Sequence, residues 1–282
     1  MSFSSSSPGL SAGASVGHYE NFPVASLFLP QRLRAPVGVI YRFARSADDF
    51  ADEGQDAPAE RLAKLDAYRA ELDRIRGGKA PQTPLFAEVA AMVAEFRLPL
   101  APFYDLLDAF SQDVVKERYA NFGEVLHYCS RSAAPVGRLL LHLYHATQPD
   151  NVAKSDAICS ALQLINFWQD VAVDLAKNRI YLPADEMARY GLTEAMLANQ
   201  DAGPQWRALM AFQVERARAM LESGAPLAKR LPGRIGFELR LMVQGGLRIL
   251  EKIEAAGYDV FRRRPVLRGW DWPLLLARAL RM

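Results

Sequence analysis

The chain has 282 residues, 50% of them hydrophobic and 23% charged, with 34 Lys+Arg against 32 Asp+Glu for a net charge of +2. This ordinary globular composition excludes a disordered chain and gives no charge argument for a nucleic-acid partner. Cys129 and Cys159 are too few for a disulfide framework or a thiolate zinc site, and no apolar run reaches the roughly eighteen residues of a membrane span, so a cytoplasmic enzyme or binding protein is expected.

Residues 1–17 are rich in Ser, Gly and Ala and lack a basic start followed by an apolar stretch, so they read as a leader rather than a secretory signal. Beyond them strand signals are scarce, and helical periodicity recurs between Pro and Gly punctuation. The pattern predicts helices over 35–52, 58–76, 84–95, 101–118, 123–147, 151–176, 204–223 and 233–256. Shorter pieces follow Pro183 and Leu192, and a last helix covers 272–282. No linker or internal repeat divides this stretch, so it predicts one all-α domain over 18–267 with a tail over 268–282.

The first predicted helix carries Tyr41, Arg45, Asp48 and Asp52 along one stripe. Like charges four apart repel, and folding alone does not ask for them. Taken singly, this stripe fits a solvated acidic helix end as well as a site. The helix over 151–176 carries a second stripe of Gln163, Asn166, Asp170 and Asp174, set among Leu164, Ile165, Phe167, Trp168 and Val171. A polar ladder on a largely apolar helix needs partners, because an unpaired buried polar group costs about 1–3 kcal/mol. Two such stripes suit Mg²⁺, a hard cation that takes one or two carboxylates plus phosphate oxygens and water. Arg45 would then contact phosphate in bidentate fashion, and surrounding aromatic faces would suit a hydrocarbon chain and a carbocation.

Further pieces join these stripes: Tyr128-Cys-Ser-Arg131-Ser-Ala-Ala-Pro-Val-Gly137, Asn178-Arg179-Ile-Tyr181-Leu-Pro183, and Gly257-Tyr258-Asp259-Val-Phe-x-x-Arg264. With Asp48-x-x-x-Asp52 and Gln163-x-x-Asn166-x-x-x-Asp170-x-x-x-Asp174, the sequence resembles the squalene/phytoene synthase family over roughly Gly17 to Leu267. The resemblance implies a single-domain isoprenoid synthase fold, with helices round a central apolar cavity and two facing aspartate-rich motifs. It implies Asp48, Asp52, Asn166, Asp170 and Asp174 as Mg²⁺ ligands or their supports, and Gln163, Arg45 and Arg179 as diphosphate-binding residues. Tyr41 and Tyr181 are implied to orient the leaving group or shield a cation, and His18 to meet phosphate.

Three spellings resemble the bacterial hydroxysqualene synthase branch of that family: His18-Tyr-Glu-Asn-Phe22-Pro-Val-Ala, Asn166-Phe-Trp-Gln169-Asp170 and Gly245-Gly-Leu-Arg-Ile-Leu-Glu-Lys-Ile253. Condensing members commonly carry Arg where this chain has Gln169 and Tyr where it has Leu247. The branch implies ionisation of presqualene diphosphate and capture of the rearranged cation by water, with no NADPH. It also implies a hand-off from a presqualene diphosphate synthase. The alternatives are a head-to-head prenyl transferase and, in a different class, a non-catalytic helical lipid-binding protein. Against the latter stand the intact, mutually repelling carboxylates. The tail adds Arg262, Arg263, Arg264, Arg268, Arg278 and Arg281 to Trp270, Trp272 and Leu274–Leu276. That composition fits peripheral contact with a membrane surface as well as a helix packed on its own domain.

Overall fold

Proline opens helix after helix. A proline at the first turn loses nothing, because that N–H has no intrahelical partner and the ring already holds a helical φ. In the computed structural model, which describes residues 30–282, prolines stand in the first turn of α2 (Pro58–Arg76), α3 (Pro84–Phe96), α4 (Ala101–Val115), α6 (Ala134–Leu143), α7 (Pro149–Ala176), α10 (Pro204–Gly224) and α13 (Trp272–Arg281). The remaining helices are α1 (Gln31–Asp52), α5 (Phe122–Ser132), α8 (Ala184–Arg189), α9 (Glu194–Ala198), α11 (Leu227–Arg230) and α12 (Gly233–Ala255). The expected all-α architecture is present, and the described residues contain one isolated bridge, Arg118 with Ile180, in place of any sheet. His18 and residues 1–17 lie outside the described residues.

Three predicted helices depart from the observed ones by more than two residues; α1 begins at Gln31, four residues before the predicted start at 35. The helix over 123–147 is two, broken at Ala133. Pro135 removes an N–H and its ring collides with the carbonyl four residues back, so a straight helix cannot pass through. The helix over 101–118 stops at Val115, because Lys116 turns extended. Backbone bonds outside the helix take over there: Ile180 N–H donates to the Glu117 carbonyl at 2.9 Å and Ala184 N–H to the Tyr119 carbonyl at 2.9 Å.

The buried apolar side chains form two clusters. One gathers α1 to α4 and α6 round Phe43, Phe86, Phe103 and Phe110; the other gathers α5, α7 to α10 and α12 round Trp168 and Trp206. Tyr144 packs against both. α7 is the spine of the second cluster and lies against α5, α6, α10 and α12. The α7–α10 approach depends on Gly224, where a Cβ would stand 2.6 Å from the Lys154 carbonyl oxygen. The carboxylates of both sequence stripes come together where the end of α1, from one cluster, meets the turn after α7, from the other, through the ion pairs of Asp52 with Lys177 and Arg179.

Candidate active site

Three helices end in the same place. α1, α4 and α7 each finish without a basic residue in the last turn, so the partial negative charge of their terminal carbonyls is uncompensated within the helix. Each adds carboxylates near that end: Asp48 and Asp52 on α1, Asp113 on α4, Asp170 and Asp174 on α7. Such a site must draw in cations.

The turn after α7 supplies two of them. Asn178 adopts left-handed geometry (φ 59°). The Arg179 N–H then donates to the Asp174 carbonyl at 2.8 Å and the Asn178 N–H to the Leu175 carbonyl at 3.0 Å, closing a Schellman cap. Asn tolerates this conformation better than other residues with a Cβ. Its side chain is fixed in turn, accepting from Arg118 at 2.9 Å and donating to Glu117 at 2.6 Å. The reversal carries Arg179 back to Asp52 at 2.6 Å and to the Asp113 carbonyl at 3.0 Å. Lys177 also reaches Asp52, at 3.0 Å. One arginine thus ties the ends of α1, α4 and α7 together.

The carboxylates divide by what faces them. Burial raises Asp52, but Arg179 and Lys177 outweigh it and hold the carboxyl below its usual range. Asp48 goes the other way: burial, then the charges of Asp52 and Asp113, push it up to about 8. Asp174 is pushed up to about 7, chiefly by burial and then by Asp170. Asp170 is held by Arg264, which donates to both carboxylate oxygens, the second at 3.1 Å. Arg45 lies 2.9 Å from Asp49 and 3.7 Å from Asp48. From Ile158 to Val171 only Gln163 and Asn166 are not buried, so the polar ladder of α7 marks the line along which that helix opens. Tyr41 is half-buried on α1, outside the ion-paired cluster.

Beneath the carboxylates lies an aromatic group. Tyr181 stacks on Phe167 with ring centroids 3.7 Å apart and planes 5° from parallel, and Tyr119 and Tyr128 flank it at 5.5 and 5.8 Å. A cavity of about 10 Å³, about one water, adjoins them between Asp174, Arg179 and Tyr181.

The chain is similar to proteins of known family. Residues 16–271 match the profile named Squalene/phytoene synthase. The chain belongs to the squalene/phytoene synthase family. It is 35% identical over 235 residues to a hydroxysqualene synthase of Sinorhizobium fredii, covering 83% of this chain and 78% of that one. It is 36% identical over 258 residues to a phytoene synthase of Cereibacter sphaeroides, covering 86% and 71%. Among solved structures, squalene synthase HpnC from Alicyclobacillus acidocaldarius superposes with a TM-score of 0.79 at 38% identity, covering 86% of this chain and 90% of the other. A dehydrosqualene synthase gives 0.80 at 25%, covering 90% and 88%.

Within this family fold, three members of the cluster were given no site role from sequence. Asp113 is one. It is buried, accepts from the Tyr128 hydroxyl at 2.6 Å and is pushed up to about 7, first by burial. Its sequence signal was a carboxylate continuing the buried α4 stripe of Leu106 and Phe110. Lys177 and Arg264 are the others, both outside helices, where periodicity is silent. Gln169, also buried, donates to the Pro265 carbonyl and so secures the segment bearing Arg264.

The residues fit Mg²⁺. Their donors are hard oxygens, the helix ends around them are electronegative, and two carboxylates remain pushed up despite neighbouring arginines. Among the described residues no three His, Cys, Asp or Glu side chains close round a single point; Mg²⁺ commonly takes one or two protein carboxylates and completes its shell with phosphate oxygens and water.

Proposed function

We propose that this enzyme converts presqualene diphosphate and water to hydroxysqualene and diphosphate. The observation that carries the reading is Gln169. Where condensing members commonly hold an arginine beside the second motif, this chain holds a buried neutral amide engaged with the Pro265 carbonyl. One cation fewer there favours a site for one diphosphate over a site for two.

Asp48, Asp52, Asn166, Asp170 and Asp174 are the residues that would hold Mg²⁺, which when bound screens the carboxylates and takes charge from the departing diphosphate. Arg45, Arg179 and Arg264 already stand against Asp48, Asp52 and Asp170. They are placed to exchange those carboxylates for phosphate oxygens. The substrate C–O bond breaks with both electrons leaving on diphosphate, and the cyclopropylcarbinyl cation rearranges. The faces of Phe167, Tyr181, Tyr119 and Tyr128 suit that cation. Water then adds its oxygen and loses a proton, and no electron donor enters. The Asp113 carboxyl, pushed up to about 7, is matched to accepting that proton near neutrality.

Incubation with presqualene diphosphate or farnesyl diphosphate, each with Mg²⁺ and without NADPH, tests the reading. Hydroxysqualene from the first and no product from the second supports it. A head-to-head prenyl transferase is the second reading, favoured by the 36% identity to a phytoene synthase, and turnover of an allylic diphosphate alone would establish it.

A further inference from the structure

The large apolar side chains that stand exposed among the described residues are concentrated in one place. Leu267, Trp270, Trp272, Leu274, Leu276 and Leu280 are all at least 36% exposed, and only Val115 shares that condition elsewhere. A soluble domain rarely leaves such a contiguous patch without a use for it.

The patch is rigidly mounted. Leu275 and Ala279 anchor α13 on its inner side, Arg240 donates to the Ala279 carbonyl at 3.4 Å, and Arg278 pairs with Glu251. The strap before α13 is held from below as well. Lys252 donates to the Val266 carbonyl at 2.8 Å, and Arg248 and Lys252 both pair with buried Asp271. With α13 fixed in this rotation, Trp272, Leu276 and Leu280 repeat every four residues along its outer side, and Trp272 and Leu280 are 50% and 72% exposed. The helix therefore has two apolar stripes, one docked and one outward.

The charge around the outward stripe has one sign. From residue 262 to 282 the acidic residue is Asp271 alone, and it is buried and already neutralised from α12. Arg262, Arg264 and Arg278 pair with Asp259, Asp170 and Glu251. Among the described residues Arg263, Arg268 and Arg281 are exposed and stand outside every such ion pair, with Arg268 over the Trp270 ring at 5.0 Å. A second copy brought face to face by a two-fold axis would set these arginines against themselves. An anionic lipid surface would neutralise them, and tryptophan favours the boundary between headgroups and acyl chains.

We propose that the outer face of α13 and its preceding strap is a docking surface for bilayers containing anionic lipids. Trp270, Trp272, Leu276 and Leu280 enter the interface and Arg263, Arg268 and Arg281 meet the headgroups. The contact is interfacial, since among the described residues no helix is long and apolar enough to cross. The same strap carries Arg264 to Asp170, so the docked surface and the carboxylate cluster share one short segment. That this placement delivers a lipid substrate rests on the proposed function; the docking itself does not.

The four tryptophans make the test direct. Trp168 and Trp206 are fully buried, whereas Trp270 and Trp272 are exposed, so quenching by brominated lipid reports on the patch. The full chain is mixed with phosphatidylcholine vesicles with or without phosphatidylglycerol, and flotation, quenching and light-scattering mass are read. The wild type floats with the anionic vesicles and is quenched. Arg268→Glu with Arg281→Glu lowers the partition coefficient by about tenfold or more. Trp270→Ser with Trp272→Ser loses flotation, with thermal melting unchanged in both variants. The proposal is overturned if the folded wild type stays unbound, or if the variants bind as it does. A dimer that the tryptophan variant dissociates would also overturn it, by assigning the patch to a second copy. Turnover in detergent, followed alongside, reads the chemistry separately, so loss of docking with turnover intact leaves the proposed function standing.

Discussion

Replacing Asp48 with Asn should make the metal-free protein more stable and the enzyme inactive. Burial and the charges of Asp52 and Asp113 push this carboxyl up to about 8 from its ordinary 3.8. The native state therefore holds a proton that the unfolded chain releases above pH 3.8. Stability from this group is fully present below that value and is lost as pH rises through 8. Each pH unit between the two contributes about 1.4 kcal/mol, an upper bound of about 4 kcal/mol at pH 7. The side chain keeps 17% of its surface in contact with solvent, and relaxation round a partly wet carboxyl reduces that bound to about 2 kcal/mol. Asparagine has no charge to desolvate. Asp48→Asn should thus melt about 4–8 °C above wild type at pH 7 in chelator, and level with it at pH 4. Turnover should fall roughly a hundredfold or more. The measurement is thermal unfolding in EDTA across pH 4–8, paired with product formation. A variant that is less stable than wild type at pH 8, or equally stabilised at all pH values, would refute the burial-and-repulsion account.

Three further outcomes are expected. Mg²⁺ should raise the wild-type melting temperature more at pH 8 than at pH 6, because Asp48 and Asp174, pushed up to about 8 and 7, must lose protons to bind it; an equal rise at both values would contradict their liganding. Asn178→Ala should cost about 1–2 kcal/mol in urea unfolding, since φ there is 59°, and should raise KM through a displaced Arg179; Asn178→Gly should recover the stability alone. Gly224→Ala should destabilise by about 1–3 kcal/mol, because the new Cβ meets backbone at Lys154, yet leave KM unchanged.

The legible and illegible parts of the molecule differ in physical kind. Helix periodicity placed α2, and α7 to within two residues, and put Gln163, Asn166, Asp170 and Asp174 on one stripe. The stripe spacing also paired Asp48 with Asp52, since both follow from a single helix geometry. What escaped depends on contacts distant in sequence. The end of α4 was set by Glu117 and Tyr119 accepting from residues past α7. Asp113 read as one more position on α4 until Tyr128 and Arg179 came against it from other elements. Arg264 belongs to a segment with no periodicity, and its ion pair with Asp170 spans 94 residues. The α5–α6 break was legible in Pro135, but the apolar run on either side outweighed it.

In the proposed reaction the C–O bond of presqualene diphosphate ionises and water captures the carbon. Turnover in ¹⁸O-enriched water with Mg²⁺ and no NADPH, read by mass spectrometry, tests it most directly. Ionisation followed by water capture gives hydroxysqualene carrying the label and diphosphate without it. Label in phosphate with an unrearranged, unlabelled alcohol, or a hydrocarbon product formed from farnesyl or geranylgeranyl diphosphate, would contradict it.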